Sequence, residues 1–395
     1  MKNQLEVSIM RKHELCAILN VAEDDTELGV LTKKRPIASL PFACRYRIID
    51  FNLSNIAHAD AKSAAIFIAD SGRSLYDHIR SGKCWDLDSY GGGIFTFSQN
   101  RHKKALYEAA SRKGDFYEDH LAFLTRSKAN YVFVAGSKII ANLDLVDVIK
   151  KHETTPCEIV RIYKEVPKAE VINRPKERLF TINDSGKITN VVEEGRVTID
   201  TETALLDMNM SVLKVHTLID IIKRAEADNL NEDITDIINH YLLDYCVNSY
   251  EYKGYLANIE SVKDYYNANI GMLNEENFNE LFHNQLPVIT KTQSGVPTYF
   301  SENADINLSQ FATGCEVYGT VEESLIFRKV NIHEGAKIKN SIIMQGSRIG
   351  AGAIIEYAIL DKNVVVEPGV RIIGTRDNPI VIGKDITVHA YFWNI

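Results

Sequence analysis

The chain has 395 residues, of which 45% are hydrophobic, and a formal net charge of -8. This length is enough for a large buried core and two domains, and the negative charge argues against general nucleic-acid binding. No stretch approaches the roughly 18 apolar residues of a membrane helix, and the first residues lack the apolar core of a signal peptide. We therefore expect a cytoplasmic protein that binds neither nucleic acid nor membranes.

The six cysteines are scattered along the chain, and no two of them form a C-x-x-C pair. Structural zinc sites and the disulfide frameworks of secreted domains usually show characteristic cysteine spacings. The sequence therefore predicts reduced thiols, without a disulfide and without a zinc site.

The first part of the chain alternates strand-like and helix-like patterns. Runs that predict buried strands are followed by segments with helical periodicity; the strands are Leu15–Leu19, Ala64–Ile68 and Tyr131–Gly136, and the helices are Leu121–Lys128 and Leu143–His152. This alternation predicts an α/β domain with a mostly parallel sheet over residues 1–285. Ligands of such sheets bind at the carboxyl ends of the strands, so the loops after the strands are the candidate site.

The pattern changes at about residue 286. Large aliphatic side chains recur every six residues, with one register shift, at Ile326, Ile332, Ile338, Met344, Ile354, Leu360, Val366 and Ile372. A six-residue period predicts a parallel β-helix over residues 286–395, in which each hexapeptide forms one flat face. An ordinary β-sandwich is the alternative.

The loop after the first predicted strand carries the most specific motif. From Leu31 to Asn55 the chain reads LTKKRPIASLPFACRYRIIDFNLSN. This stretch resembles the N-terminal signature of bacterial glucose-1-phosphate adenylyltransferases (ADP-glucose pyrophosphorylases), in which a strand is followed by G-G-x-G-x-R-L and then L-T-x-x-R-A-K-P-A-V-x-F-G-G-K-[YF]-R-[IL]-I-D-F. The resemblance implies a Rossmann-like nucleotidyltransferase domain followed by a left-handed β-helix.

The chain departs from this signature where the family binds phosphate. The family's loop glycines fall on Ala22, Glu23 and Asp25, its loop arginine on Glu27, and the lysine of R-A-K-P on Ile37. Glycine lets backbone N–H groups approach phosphate oxygens, and the cations stabilise the transferred phosphoryl group. A carboxylate ~4 Å from a phosphate charge costs about 4 kcal/mol at an effective dielectric constant of ~20. The resemblance therefore implies a degenerate phosphate loop without intact catalytic residues.

The metal and sugar-phosphate positions depart as well. The family's metal-binding aspartates, in A-G-D-H-[IV]-Y and G-Y-W-x-D-V-G-T, fall on Ser137 and Asn258, and the lysine of F-V-E-K-P falls on Glu194. Mg²⁺ is usually held by one or two carboxylates together with substrate phosphates. We therefore expect no cofactor in this chain, and Mg²⁺ only in an active partner subunit.

Three basic residues match family positions that contact anionic allosteric effectors, which are sugar bisphosphates or AMP. These effector-binding candidates are Lys34, Arg35 and Arg47. A solvated, charged surface is the alternative interpretation.

The combination resembles the GlgD-type subunit, the non-catalytic partner in some two-component bacterial ADP-glucose pyrophosphorylases. It implies a regulatory, largely non-catalytic subunit that forms a heterotetramer with a homologous catalytic subunit and acts in ADP-glucose formation for glycogen biosynthesis. One alternative is a weakly active enzyme that converts ATP and glucose 1-phosphate to ADP-glucose and pyrophosphate. Another is a free-standing sensor of a sugar phosphate or nucleotide. A third, a hexapeptide acyltransferase, would use His333 or His389 as its base.

Overall fold

A computed structural model of the chain describes residues 14–69, 72–88, 91–99, 116–155, 157–171, 174, 177–193, 202–284 and 286–390. A mixed α/β domain is followed by stacked parallel sheets that agree with the predicted left-handed β-helix, so the predicted fold class is confirmed. Within these ranges, none of the helices combines the length and apolar character needed to cross a bilayer.

The α/β domain contains short and long strands with helices between them. Its strands are β1 (Leu15–Val21), β2 (Pro41–Phe42), β3 (Tyr46–Arg47), β4 (Ser63–Ile68), β5 (Gly93–Ser98), β6 (Tyr131–Ala135), β7 (Ile139–Ile140), β8 (Ile159–Pro167), β9 (Arg178–Ile182), β10 (Ile188–Glu193), β11 (Thr203–Lys214), β12 (Val247–Glu251) and β13 (Ala257–Asn258). Its helices are α1 (Ile49–His58), α2 (Arg73–Ile79), α3 (Glu118–Ser127), α4 (Leu145–Thr154), α5 (Lys168–Val171), α6 (Val215–Ala227), α7 (Ile234–Tyr241), α8 (Val262–Ile270) and α9 (Glu275–Phe282). Short 3-10 helices cover Thr26–Leu31, Ile37–Ser39, Lys83–Trp85, Leu242–Asp244 and Gly271–Leu273.

The central sheet is parallel around β1 and antiparallel around β11. Its strand order is β10-β9-β11-β6-β1-β4-β5, and β8 pairs with both β11 and β12. β1 runs parallel to β4 and to β6, and every residue of these three strands is buried. Their near-continuous apolar runs reflect a sheet that is covered on both faces.

Alternate side chains of β1 enter two different cores. Ala17 and Leu19 pack with residues of α1 and α4, whereas Cys16 and Ile18 pack with residues of α3, α6 and α7. Because β1 and β6 are parallel, the loops that follow them emerge at the same edge of the sheet. This edge holds the candidate site.

The β-helix is built from three sheets of short strands. The strands are β14 (Tyr299–Phe300), β15 (Asp305–Asn307), β16 (Gln310–Phe311), β17 (Glu316–Val317), β18 (Thr320–Glu322), β19 (Leu325–Ile326), β20 (Asn331–Ile332), β21 (Lys337–Lys339), β22 (Ile342–Ile343), β23 (Arg348–Ile349), β24 (Ile354–Glu356), β25 (Ala358–Leu360), β26 (Val365–Val366), β27 (Arg371–Ile373), β28 (Ile380–Ile382) and β29 (Thr387–Val388). Each strand pairs in parallel with the third strand after it, so three strands form one coil.

The predicted six-residue register is wrong at one position. Ile354 is only partly buried, and the inward-facing residue of β24 is Ile355, which is in register with Ile338 of β21. The turns between hexapeptides have unequal lengths, and the sequence alone does not show where the extra residue falls. Met344 is buried, but it packs in the cluster that joins the β-helix to the α/β domain.

The chain between α9 and β14 lies against the α/β domain. His58 Nε2 is 2.7 Å from the carbonyl oxygen of Pro287, and Ser54 Oγ accepts a hydrogen bond from Ile289 N at 2.8 Å. These bonds fasten the connecting segment to α1. The domain boundary at residue 286 stays a prediction.

The expectation of reduced thiols is wrong for one pair of cysteines. The structure joins Cys157 and Cys246 in a disulfide, with their Cα atoms 4.8 Å apart and a sequence separation of 89. Cys157 precedes β8 and Cys246 precedes β12, and the parallel pairing of these strands brings the two residues together. Spacing along the chain could not reveal this contact because it depends on strand pairing.

Candidate functional site

The loop after β1 forms one wall of a cleft with a volume of about 490 Å³. The cleft brings together most of the positions that the sequence predicted for phosphate and metal, namely Ala22, Glu23, Asp25, Ile37 and Ser137. Glu27 lies on the same loop but is exposed and is not among the residues that line the cleft. The loop that the sequence predicted to be a degenerate phosphate loop therefore lines a cleft with carboxylates and an aliphatic side chain.

The Glu23 carboxylate binds Ser137, one of the two predicted degenerate metal positions. Ser137 donates to Glu23 Oε2 from its backbone N and, at 2.8 Å, from its Oγ. Burial raises the pKa of the Glu23 carboxyl from 4.5 to about 7, although the Ser137 bonds and the charge of Lys138 act in the opposite direction. The Glu23 carboxylate thus occupies both hydrogen-bond donors of Ser137.

The other predicted metal position, Asn258, lines a neighbouring cavity of about 260 Å³. Asn258 Nδ2 donates to Glu177 Oε1 at 2.9 Å, and burial raises the pKa of the Glu177 carboxyl. Lys138 and Glu260 form an ion pair of 2.8 Å in the same cavity. These polar groups are therefore paired with one another, but the buried Asn258 Oδ1 has no hydrogen-bond partner among the described residues.

The side-chain oxygen atoms of Ser137 and Asn258 do not form a suitable set of ligands for a Mg²⁺ ion. Ser137 is occupied by Glu23, and Asn258 supplies a neutral amide where the ion prefers a charged oxygen. In the ranges that the structure describes, no group of three or more His, Cys, Asp or Glu side chains could hold a metal. The absence of a cofactor in this chain stays a prediction.

Glu194, the predicted sugar-phosphate position, lies outside the described residues.

A pair of arginines beside the second cavity, Arg161 buried and Arg178 partly buried, was not found from the sequence. Arg161 of β8 makes two bonds to the Asp207 carboxylate, 2.8 Å from Nε and 2.7 Å from Nη2, and Arg178 of β9 binds the same carboxylate at 2.8 Å. Burial opposes ionisation of Asp207, but the two guanidinium groups outweigh it and lower its pKa. An arginine within the apolar run of β8 could have indicated a buried ion pair. Its partner, Asp207, lies on β11, and the sequence does not show this pairing.

A basic pocket of about 230 Å³ lies at the junction between the α/β domain and the β-helix. Lys34 and Arg35 line it from the first domain, and Lys362 and Lys384 from the second. Asp361 is the carboxylate among its lining residues. We call this cavity the junction pocket because residues of both domains line it. Its surplus of cationic side chains is suited to binding an anion.

The three predicted effector residues differ in their burial and in their hydrogen bonds. Arg35 is buried and donates from Nε to Leu31 O at 2.9 Å and from Nη2 to Asp361 Oδ1 at 2.9 Å. Arg47 donates from Nη1 to the carbonyl oxygen of Ser74, a residue that also lines the junction pocket. Lys34 is exposed. The sequence brought these residues to attention, but their role in effector binding stays a prediction.

Lys362 and Lys384 were missed because they lie far from the motif in sequence. Burial lowers the pKa of the Lys362 ammonium to about 8, and the positive charges of Arg47 and Arg35 lower it further in the same direction. Stacking of β25 on β28 brings the two lysines together, and the irregular length of this coil hides that relation in the sequence.

Of the histidines considered for acyl transfer, His389 is exposed, with Nδ1 2.8 Å from Glu367 Oε1. His333, the other candidate, is also exposed.

Two known proteins can be aligned with this chain over almost its whole length. The family model for the GlmU-like, C-terminal hexapeptide matches residues 298–378. The glycogen biosynthesis protein GlgD of Bacillus subtilis (strain 168) is 28% identical over 379 residues, which cover 95% of this chain and 98% of that protein. The glucose-1-phosphate adenylyltransferase of Bacillus cytotoxicus is 25% identical over 387 residues, covering 96% of this chain and 100% of the relative. The chain is therefore similar to GlgD and to glucose-1-phosphate adenylyltransferases over nearly its whole length.

Proposed function

We propose that this chain is a regulatory, largely non-catalytic subunit of a hetero-oligomeric glucose-1-phosphate adenylyltransferase, acting in ADP-glucose formation for glycogen biosynthesis. Its partner is a homologous catalytic subunit, and the assembly is a heterotetramer. The observation that carries this proposal is the Glu23 carboxylate bound to Ser137. The resemblance assigns these positions to phosphate and metal in an active enzyme.

Several features of the cleft support loss of catalysis. Phosphoryl transfer depends on cations and backbone donors that stabilise charge on the transferred group. Here Glu23 and Asp25 line the cleft, and Ile37 replaces a cation. The replacements affect both the phosphate loop and the metal positions, so reversal of one substitution does not rebuild the site.

The first coil of the β-helix offers a surface for the partner subunit. Large hydrophobic side chains are exposed around it, with fractions of 55% for Tyr299 and 57% for Leu308. Its strands β14, β15 and β16 are the terminal strands of their sheets, so one edge of each has no strand beside it in the described residues. Open strand edges and apolar side chains of this kind favour contact with another chain.

The junction pocket supports a regulatory role. An anion bound there contacts both domains, because Lys34 belongs to one domain and Lys362 to the other. A ligand that binds one domain arrangement better than another shifts the equilibrium between them. A non-catalytic subunit can pass such a shift to a catalytic neighbour through the shared interface.

The test of catalytic silence uses the purified chain alone with ATP, glucose 1-phosphate and Mg²⁺. We expect no measurable pyrophosphate release, and the double substitution Ser137→Asp and Asn258→Asp should not restore it because the acidic loop remains. Turnover near ~1 s⁻¹, at the low end of ordinary enzymes, would instead support a weakly active adenylyltransferase. A silent chain that also leaves a homologous enzyme unaffected would support the free-standing sensor.

A further inference from the structure

The Glu23 side chain lies between two cavities. It lines both the 490 Å³ cleft and the 260 Å³ cavity. The residues that it contacts are divided in the same way, since Ser137 lines the cleft and Gly136 lines the second cavity. The carboxylate therefore lies at the boundary that the two cavities share.

The backbone at residues 136 and 137 leaves room for the Glu23 carboxylate and donates a hydrogen bond to it. Ser137 offers two donors, its backbone N–H and its Oγ–H, and both point to Glu23 Oε2. A Cβ atom at position 136 would overlap the Glu23 carboxylate, so the glycine is what allows this close approach. Two neighbouring positions, Gly136 and Ser137, thus hold the Glu23 side chain in one place.

The remainder of the cleft could accept an anion. Lys33 lines it, and the loop turns at Gly29, whose φ of 49° lies in the left-handed region that favours glycine. The Ser137 donors would be available to a bound phosphate if Glu23 did not already use them. An oxyanion entering the cleft must either displace this carboxylate or lie beside its charge.

We propose that Glu23 is a tethered substitute for a ligand anion, which saturates the Ser137 donors, separates the two cavities and thereby excludes polyphosphates from the cleft. This inference rests on the proposed function, because it assigns the rejection of the nucleotide substrate to one residue. It makes Glu23 the specificity-determining residue of the cleft, ahead of the other acidic residues of its loop.

The test is a binding titration of the full chain with ATP at pH 8, by calorimetry. We expect Glu23→Ala to bind ATP at least about tenfold more tightly than the natural chain, since the substitution frees two donors and removes a charge. The matched control is Glu27→Ala, which removes an exposed carboxylate from the same loop; its affinity should stay within about twofold of the natural chain. The junction pocket is the same in all three proteins, so a difference between them is assigned to the cleft.

Two results would overturn the inference. One is an unchanged affinity in Glu23→Ala, and the other is an equal gain in Glu27→Ala, which would assign exclusion to the general charge of the loop. Hydrogen exchange at the Ser137 amide gives a second readout, because Glu23→Ala should lower its protection whereas Glu23→Gln, which keeps an acceptor oxygen, should retain most of it. An unfolded Glu23→Ala is recognised by its melting curve, and Glu23→Gln then serves in the titration, with a gain between about threefold and tenfold expected and no gain contradicting the proposal.

The inference and the proposed function fail in different ways. If the natural chain binds ATP tightly and releases pyrophosphate, the proposed function is wrong. If the natural chain is silent and Glu23→Ala gains no affinity, the inference alone is wrong.

Discussion

Arg35 and Asp361 join the α/β domain to the β-helix through an ion pair of 2.9 Å whose side chains are only 6% and 4% exposed. The Arg35 guanidinium also donates to Leu31 O and lies 3.8 Å from Met344 Sδ. The pair is therefore part of the buried contact between the domains, and it also forms one wall of the junction pocket.

We expect Asp361→Ala to destabilise the chain by about 3 to 5 kcal/mol, because it leaves the Arg35 charge buried without its partner. The double substitution of Arg35→Met with Asp361→Leu should cost clearly less, since no charge remains buried. Urea denaturation of the two variants measures the difference. Equal losses in both would show that packing, rather than the unpaired charge, determines the effect.

If the junction pocket binds an anion as proposed, Lys362 should make that binding sensitive to pH. Its pKa is lowered to about 8, chiefly by burial, and an anion binds the protonated form better. The affinity for sulfate, an anion that does not titrate in this range, should therefore be constant below pH 7 and fall as the pH rises through 8. Thermal-shift titrations with sulfate between pH 6 and pH 9 measure this slope.

The control for this slope is Lys362→Arg, which keeps its charge throughout the range. Its sulfate affinity should vary little up to pH 9. A slope that persists in Lys362→Arg would assign the pH dependence to another group.

The sequence predicted the architecture well because apolar periodicity reports it directly. The runs in β1, β4 and β6 are buried along their whole length, and the aliphatic repeat of the last domain follows the β-helix apart from the shift at Ile354. The motif also brought Glu23 and Ser137 to attention as separate departures from the family pattern. Their hydrogen bond joins residues 114 apart in sequence, so only the folded chain could reveal it.

Contacts between strands and between domains were the parts that the sequence did not reveal. The Cys157–Cys246 disulfide depends on the pairing of β8 with β12, and the arrangement of Arg161 with Asp207 depends on the pairing of β8 with β11. Lys362 lies in the same pocket as Lys34 and Arg35 only because the β-helix packs against the first domain. These relations have no local periodicity.

Glu23 should make the stability of the chain depend on pH. Its carboxyl has a pKa of about 7 in the folded chain, above its ordinary 4.5, so the folded state holds the proton more tightly. The stability that this group contributes is fully present below pH 4.5 and is lost as the pH rises through 7, and the full loss is about 3 kcal/mol. Compared with the natural chain, Glu23→Gln should gain in relative stability over this range, as measured by urea unfolding at pH 5 and pH 8.

The exposed carboxylate of Glu27 supplies the matched comparison for this experiment. Glu27→Gln should follow the natural chain at both pH values. If Glu23→Gln does so too, the raised pKa of Glu23 is not realised in the protein.

The disulfide should stabilise the folded chain. Cys157 and Cys246 close a loop with a sequence separation of 89, and removing a disulfide typically costs about 2 to 5 kcal/mol. We expect dithiothreitol to lower the urea midpoint of the natural chain and to leave the double variant Cys157→Ser with Cys246→Ser unaffected. Cys84, which is exposed and free, provides the control, since Cys84→Ser should retain the full response.

The most direct test of the regulatory role is co-expression of this chain with a homologous, active glucose-1-phosphate adenylyltransferase, followed by size-exclusion chromatography and assay with and without anionic effectors. A matched variant, Leu308→Asp, places a charge on the exposed first coil of the β-helix and should weaken assembly. The account predicts that the two natural chains elute together, and that the complex either exceeds the activity of the catalytic chain alone or responds differently to effectors. Separate elution at micromolar concentration, with unchanged kinetics of the catalytic chain, would contradict it.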